Sequence, residues 1–199
     1  MDTEIREPAR ARLSGAGAPA AVWALLFAGF HGYWALGGTL GLGDGAAADG
    51  GISGGFLVYD LMVAGMCLVG AWVAVALTRP YGPGPATSPG YRWEVPPGRR
   101  PQPVPRWVLL TAGWTATALL LARGGIGVLD DLLRSTGALA HGLSGLTVQE
   151  VYGEPHPSVC TLWSMRAVDA YFVLGGVLFG ATLRRALRMP SAGRRISAP

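Results

Sequence analysis

The chain has 199 residues, of which 50% are hydrophobic and only 14% are charged. Soluble domains carry about 25% charged residues, so this composition is typical of a membrane protein. All 16 cationic residues are arginines and the formal net charge is +4. Because these arginines flank apolar runs and do not form a basic face, the charge does not favour nucleic-acid binding.

Four apolar runs follow one another along the chain, each long enough to cross a bilayer. They cover about residues 19–40, 53–78, 107–129 and 161–183. The first run could also be a signal peptide, because Ala46, Ala47 and Ala48 follow it, but its length of about 20 residues favours a span. We therefore predict an all-α fold, a four-helix transmembrane bundle formed by a single domain over residues 19–187.

The segments between and beyond these runs are polar or rich in Gly and Pro. Residues 1–18 and 188–199 are predicted to be disordered tails. Residues 79–106 form a Pro- and Arg-rich loop without a core of its own. Residues 135–160 form the longest loop on the other side, and we expect them to fold over the bundle as a lid that can include one short helix.

The arginines predict the orientation of the chain in the membrane. The tail before the first run holds 3, the 79–106 loop holds 5, and the chain after the fourth run holds 5. Residues 41–52 and 135–160 hold none. The positive-inside rule then places both termini and the 79–106 loop in the cytoplasm, as in a multi-pass protein of the cell membrane.

Each apolar run also brings ionisable groups to the outer half of the bilayer in that orientation. These groups are His31, Asp60, Arg123, Asp130, Asp131, Arg166 and Asp169. A charge near the bilayer centre costs about 2.5–3.5 kcal/mol, so such groups normally face the bundle interior and pair. Phe27, His31 and Trp34 share one helical face. We therefore predict one pocket beside His31 and Trp34.

The same charges also have a purely structural interpretation. Arg123 with Asp169, or Arg166 with Asp60, would then be ion pairs that satisfy each other inside the bundle. The carboxylates at the end of the third run, including Asp130, would lie at the outer interface.

Metal chemistry is not favoured by the spacing of the remaining candidate ligands. The 135–160 segment contains four of them: His141, Glu150, Glu154 and His156. They lack HxxxH or HExxH spacing. Asp130 and Asp131 begin an aspartate-rich pattern, but its fifth position is Arg134 and no second acidic cluster exists. The two cysteines form no CxxC pair. We predict neither a metal nor a cofactor.

Three stretches resemble, when taken together, a family of small four-span bacterial membrane proteins of unknown function, most of them actinobacterial. The stretches are HGYWALGG at 31–38, RGGIG at 123–127 and DAYFVLGG at 169–176. The resemblance covers the four spans, and the first stretch is the most specific. By analogy, it suggests the small integral-membrane terpene cyclases of drimentine and xiamycin pathways, which act on prenylated indoles. This analogy implies metal-independent, protonation-initiated cyclisation in secondary metabolism.

Such a cyclase needs a water-shielded acid, aromatic faces that stabilise a cation, and a base for the final proton. The candidate acids are Asp60 and Asp169, and His31 could orient the acid or take the last proton. Asp60 is the first choice, because neighbouring arginines could keep Asp169 ionised. Supporting charge pairs are assigned to Arg123, Arg166 and Asp130. Candidate substrate-binding residues are Tyr33, Trp34, Tyr59, Trp114, Trp163, Tyr171 and Phe172.

The alternative function is a protein that binds or transports a lipid or small molecule without catalysis. Four spans without an internal repeat are few for a secondary transporter. The spacing of Gly176 and Gly180 allows a homodimer, although it also fits packing within the bundle. In either case the expected partners are membrane lipid and a lipophilic small molecule, prenylated if the protein is a cyclase.

Overall fold

The computed structural model describes residues 17–41, 54–79 and 104–188. Within these ranges the chain forms five α-helices and no β-strand, which confirms the all-α prediction. The helices are α1 (Ala18–Ala35), α2 (Gly54–Leu77), α3 (Arg106–Ser135), α4 (Val148–Tyr152) and α5 (Val159–Arg188). Nearly all of the predicted tails and of the predicted Pro- and Arg-rich loop lie outside the described residues, but Ala18 and Arg188, which were assigned to the tails, belong to α1 and α5.

Each predicted apolar run coincides with one of the four long helices. Among the described helices, α2 and α5 are long and apolar enough to cross a membrane. Helix α1 ends at Ala35, five residues before the end of its apolar run, because Gly37 takes a left-handed conformation with φ of 93°. Helix α3 instead continues past its apolar run to Ser135.

The long helices pack as two antiparallel hairpins. In the first hairpin the start of α1 lies against the end of α2, where Gly17 approaches Ala74 and Thr78. In the second hairpin the start of α3 lies beside the end of α5, where Arg106 donates a 2.7 Å hydrogen bond to the Ala186 carbonyl. Contacts within each hairpin are far more extensive than contacts between the hairpins.

An aromatic cluster between α1 and α5 joins the two hairpins. The Trp23 indole N–H donates to the Tyr171 carbonyl at 2.9 Å, and the Tyr171 hydroxyl donates to the Trp23 carbonyl at 2.7 Å. The Trp23 ring also stacks on the rings of Phe27 and Tyr171, with centroids 5.6 and 5.0 Å away. Gly175 makes this approach possible, because a Cβ at that position would overlap the Trp23 ring. The cluster fixes the position of α1 along the axis of α5.

The loop after α3 folds back onto the end of that helix, beyond the apolar run. Arg134 forms an ion pair with Asp130 at 2.6 Å and donates to the carbonyls of His141 at 2.8 Å and Leu146 at 2.9 Å. Asp130 also accepts a 2.5 Å hydrogen bond from the Leu143 N–H. The hydrogen bond from Arg134 and those from the loop backbone lower the pKa of Asp130. These two side chains therefore anchor the first half of the predicted lid.

The second half of this loop contains the short helix α4. Thr147 and Glu150 form a capping box, in which each side chain accepts a hydrogen bond from the backbone N–H of the other residue. Hydrogen bonds from the N–H and the hydroxyl of Thr147 to the carboxylate lower the pKa of Glu150. Gly153 ends the helix with a φ of 79°.

Candidate functional site

A buried histidine–aspartate pair lies where the end of α1 meets the start of α2. His31 Nδ1 and Asp60 Oδ1 are 2.7 Å apart, and the two residues are only 4% and 0% exposed. The pairing follows from the hairpin, because antiparallel packing sets the last turn of α1 beside the first two turns of α2. Oδ2 of Asp60 is buried and has no hydrogen-bond partner among the described residues.

Aromatic rings surround the imidazole of His31. The rings of Phe27 and Trp34 meet it edge to face, with centroids 4.6 and 4.9 Å away, and the Tyr59 ring lies 5.9 Å away. Phe27 and Trp34 lie four residues before and three residues after His31, which sets all three on one face of α1. The pair is therefore shielded from water on the sides that these rings cover.

In this geometry one nitrogen of His31 and one oxygen of Asp60 are not engaged in the contact between the two side chains. A neutral imidazole has one donor and one acceptor nitrogen, so a hydrogen bond at Nδ1 leaves Nε2 of His31 to accept or release a proton. The atoms of the pair that the 2.7 Å contact does not engage are therefore Nε2 of His31 and Oδ2 of Asp60.

A cavity of about 250 Å³ lies between α1 and α5 beside this pair. Its lining is formed by Phe27, Phe30, Trp34, Gly41, Ser164, Ala167, Val168 and Tyr171. Phe27 and Trp34 contact His31 and also line the cavity, so the buried pair lies directly behind that wall. Neither His31 nor Asp60 is itself part of the lining.

The indole of Trp34 is held in place by the loop that follows α1. Its Nε1 donates a 2.9 Å hydrogen bond to the Leu40 carbonyl. The Leu40 N–H in turn donates to the Tyr33 hydroxyl at 3.4 Å. The Trp34 part of the wall between the cavity and the buried pair is thus held by a hydrogen bond to a short loop, whereas Phe27 packs against α5.

The other predicted charges form a separate set of ion pairs between α3 and α5. Arg123 pairs with Asp169 at 2.6 Å, and its guanidinium lies 5.2 Å from the centre of the Phe172 ring. Arg166 donates to both carboxylate oxygens of Asp131, at 2.9 and 3.2 Å. Asp60 therefore pairs with His31 and not with Arg166, because α5 packs against α3 far more closely than against α2.

The predicted substrate-binding residues fall into two groups. Trp34 and Tyr171 line the cavity, Tyr59 contacts His31, and Phe172 packs against Phe27 with centroids 5.2 Å apart. The remaining three, which are exposed and do not line the cavity, are Tyr33, Trp114 and Trp163.

Sequence reasoning missed Phe30 and Ser164, which both line the cavity. A signal for Ser164 was present, since it lies seven residues before Tyr171, or about two helical turns on the same face. Asp131 was also missed as the partner of Arg166. No group of three His, Cys, Asp or Glu side chains in the described ranges is arranged to hold a metal ion.

No protein-family model, curated protein or solved structure matches this chain. The resemblance to small four-span membrane proteins therefore stays a prediction. The function has to be argued from the site itself.

Proposed function

We propose that all four long helices cross the bilayer, with both termini and the 79–106 loop in the cytoplasm. Helices α2 and α5 meet the length and hydropathy expected of a span, and each forms a hairpin with α1 or α3 along its length. Helix α1 also presents exposed apolar side chains: Val22, Leu25, Leu26 and Phe30. Contact of such an apolar surface with lipid tails is favourable, whereas its contact with water is unfavourable.

We further propose that the protein is a membrane-embedded cyclase that protonates an alkene or epoxide of a prenylated substrate. The observation that carries this proposal is the buried His31–Asp60 pair, in which Oδ2 of Asp60 has no partner among the described residues and aromatic rings surround the imidazole. A water-shielded carboxylic acid beside aromatic faces suits the formation of a carbocation.

In this mechanism, Asp60 acts as the general acid and protonates a terminal alkene. The proton passes from Oδ2 to one alkene carbon, the π electrons form the new C–H bond, and the other carbon becomes cationic. A second alkene attacks that carbon and closes a ring. His31 Nε2 then removes a proton next to the final cation and releases it to solvent, and Oδ2 of Asp60 takes a new proton from solvent before the next turnover. The reaction is an isomerisation, so it requires no oxidant, metal or co-reactant.

The ring of Trp34 controls access in this mechanism, because it lies between the cavity and His31. A substrate in the cavity reaches Oδ2 of Asp60 only after the indole shifts. The single hydrogen bond between Trp34 and the Leu40 carbonyl makes that shift feasible. Once it has shifted, the indole face would lie beside the developing cation.

The test compares wild type with Asp60→Asn in membranes supplied with farnesylated indole diketopiperazines in D₂O. Wild type should convert the substrate to a cyclic isomer that carries one solvent deuterium, because the acid exchanges with solvent before it protonates carbon. Asp60→Asn keeps the size of the side chain but lacks the acidic proton, so turnover should fall by about 10²-fold or more. Mass spectrometry measures both product and deuterium.

Asp131→Asn is the matched control, since it removes a carboxylate that pairs with Arg166 away from His31. It should retain activity at equal protein levels. A cyclic product without deuterium would contradict protonation, and no product from wild type would contradict the cyclase proposal. Loss of the folded protein in Asp60→Asn would assign the pair a structural role.

A second function, binding of a lipophilic ligand without catalysis, is favoured by one specific observation. The cavity lining includes neither His31 nor Asp60, so a ligand could occupy it without contact with the acid. Ligand binding with no isomerised product in the experiment above would select this function.

A further inference from the structure

We propose that the cavity between α1 and α5 is a binding site for the short, branched end of a lipophilic molecule that carries one hydroxyl or carbonyl oxygen there, and that the Ser164 hydroxyl hydrogen-bonds this oxygen. This site is distinct from the acid–base pair behind its wall. The inference holds whether or not the protein catalyses a reaction, because it concerns occupancy of the cavity alone.

Four aromatic rings shape the cavity. Phe27, Phe30, Trp34 and Tyr171 contribute them from α1 and α5, and small or branched side chains complete the floor. Such rigid walls accept a compact branched group or a ring more readily than a flexible linear chain, which would lose more conformational entropy on binding.

Ser164 supplies the polar contact in this apolar lining. Tyr171 is the other lining residue with a hydroxyl, but that group is already used in the bond to the Trp23 carbonyl. Ser164 forms no hydrogen bond with any of the residues that the structure describes. A half-buried hydroxyl without such a partner in an apolar cavity is suited to a ligand that brings a hydroxyl or carbonyl oxygen.

The size of the cavity limits which part of a ligand it can hold. A volume of about 250 Å³ is below the range of about 300–1,000 Å³ that is typical for drug-sized ligands. At roughly 30 Å³ per water-sized group, it holds about eight non-hydrogen atoms. We therefore expect the cavity to hold one branched five-carbon unit with its polar oxygen, with the rest of the ligand outside between α1 and α5.

The position of Phe30 indicates the direction of access. Phe30 lines the cavity and is 43% exposed on the outer surface of α1. A lipophilic ligand can therefore reach the cavity sideways between α1 and α5. Access from the bilayer itself rests on the proposed membrane location.

The test introduces Ser164→Cys into the full chain with Cys67→Ala and Cys160→Ser, and measures the labelling rate by a small maleimide in lipid nanodiscs. Geraniol, a branched ten-carbon alcohol, is the probe. At ten times its Kd it should slow labelling by about tenfold. Decanol has the same number of carbons in a linear chain and should protect much less. The matched control is Met165→Cys, the next residue on α5, which is exposed and outside the lining.

A second measurement uses the wild-type cysteines and side chain. Geraniol affinity is measured by calorimetry for wild type, Ser164→Ala and Asp60→Asn. Ser164→Ala should bind about three- to tenfold more weakly, whereas Asp60→Asn should bind normally even if it is inactive. This result separates occupancy of the cavity from the proposed reaction.

Four outcomes would overturn the inference. Absence of protection in Ser164→Cys means that the cavity does not take the probe. Equal protection of Met165→Cys means that geraniol acts through the bilayer. Equal protection by decanol means that the cavity does not recognise branching. Unchanged affinity in Ser164→Ala means that the Ser164 hydroxyl does not contribute to binding.

Discussion

His31 and Asp60 satisfy each other, and this mutual dependence should appear in stability as well as in chemistry. The single variant His31→Phe leaves a buried carboxyl group with no partner on either oxygen, so it should lower the free energy of unfolding by about 3–5 kcal/mol. The double variant His31→Phe with Asp60→Leu removes both polar groups and should lose much less. Unfolding of purified protein in mixed micelles, followed by circular dichroism, measures each value.

The double-mutant cycle gives the coupling of the pair directly. A double variant that loses the sum of the two single losses would show that the 2.7 Å contact contributes nothing to stability. That result would also weaken the assignment of His31 as the base that is paired with Asp60.

The sequence predicted which residues carry the charges, and the predicted pairing of Arg123 with Asp169 is confirmed, but the pairs formed by Asp60 and Arg166 were not predicted correctly. Hydropathy and orientation placed His31 and Asp60 at similar depth, and the structure brings them together. Arg166 was considered as a partner of Asp60, yet it pairs with Asp131. Depth follows from position along a helix, whereas pairing depends on which helices are neighbours and on rotation about each helix axis. A single sequence contains little information about either.

Where a helix ends depends on local backbone conformation and capping, which the length of an apolar run does not predict. The apolar pattern of the first run continues through Leu36 and Leu40, but Gly37 turns the chain after Ala35. The shorter helix is what allows Leu40 to fold back and accept the hydrogen bond from Trp34. The capping box of α4 was readable in the sequence as Thr147 followed three residues later by Glu150.

The anchor between α3 and the following loop predicts a pH dependence. Because the pKa of Asp130 lies below its ordinary value of 3.8 in the folded protein, its contribution is fully present above about pH 5 and is lost as the pH falls through the folded-state value. The protection of the amides of residues 137–147, expressed relative to their intrinsic exchange rates at each pH, should therefore decrease as the pH falls below about 5. Mass spectrometry of wild type across about pH 2–7 measures this.

Arg134→Lys is the control for this anchor. Lysine keeps the positive charge but lacks the planar guanidinium group. Its single ammonium group cannot bind Asp130 and the carbonyls of His141 and Leu146 at the same time. The protection factors of this loop in the variant should be low at neutral pH and should change little on acidification. Protection equal to that of wild type at neutral pH would show that the loop is held by other contacts.

At the scale of the whole molecule, the aromatic cluster is one of the contacts that join the two hairpins, beside the packing of α2 on α3 and α5. Gly175→Ala should destabilise the protein by about 1–3 kcal/mol, because its Cβ would displace the Trp23 ring and disturb the paired hydrogen bonds with Tyr171. Gly29→Ala is the matched control, since a Cβ there meets no atom within 4 Å. It should stabilise α1 by about 0.5–1 kcal/mol. Thermal unfolding in detergent compares the two variants.

If Gly175→Ala leaves the unfolding temperature unchanged, the aromatic cluster does not stabilise the junction of the hairpins. The arrangement in two hairpins was itself only partly foreseeable. The order and type of the helices follow from the apolar runs, but close approach at Gly175 depends on the shape of Trp23, which no periodicity encodes.

The aromatic contact between the hairpins also implies an order of assembly. Contacts within a hairpin join nearby parts of the chain, whereas the bonds between Trp23 and Tyr171 join residues 148 positions apart. The entropy of closing so long a loop makes this docking the last event. The cavity between α1 and α5 therefore does not exist in a half-assembled chain. Any molecule that fills it binds only the completed fold, and so it would act as a folding ligand during biosynthesis.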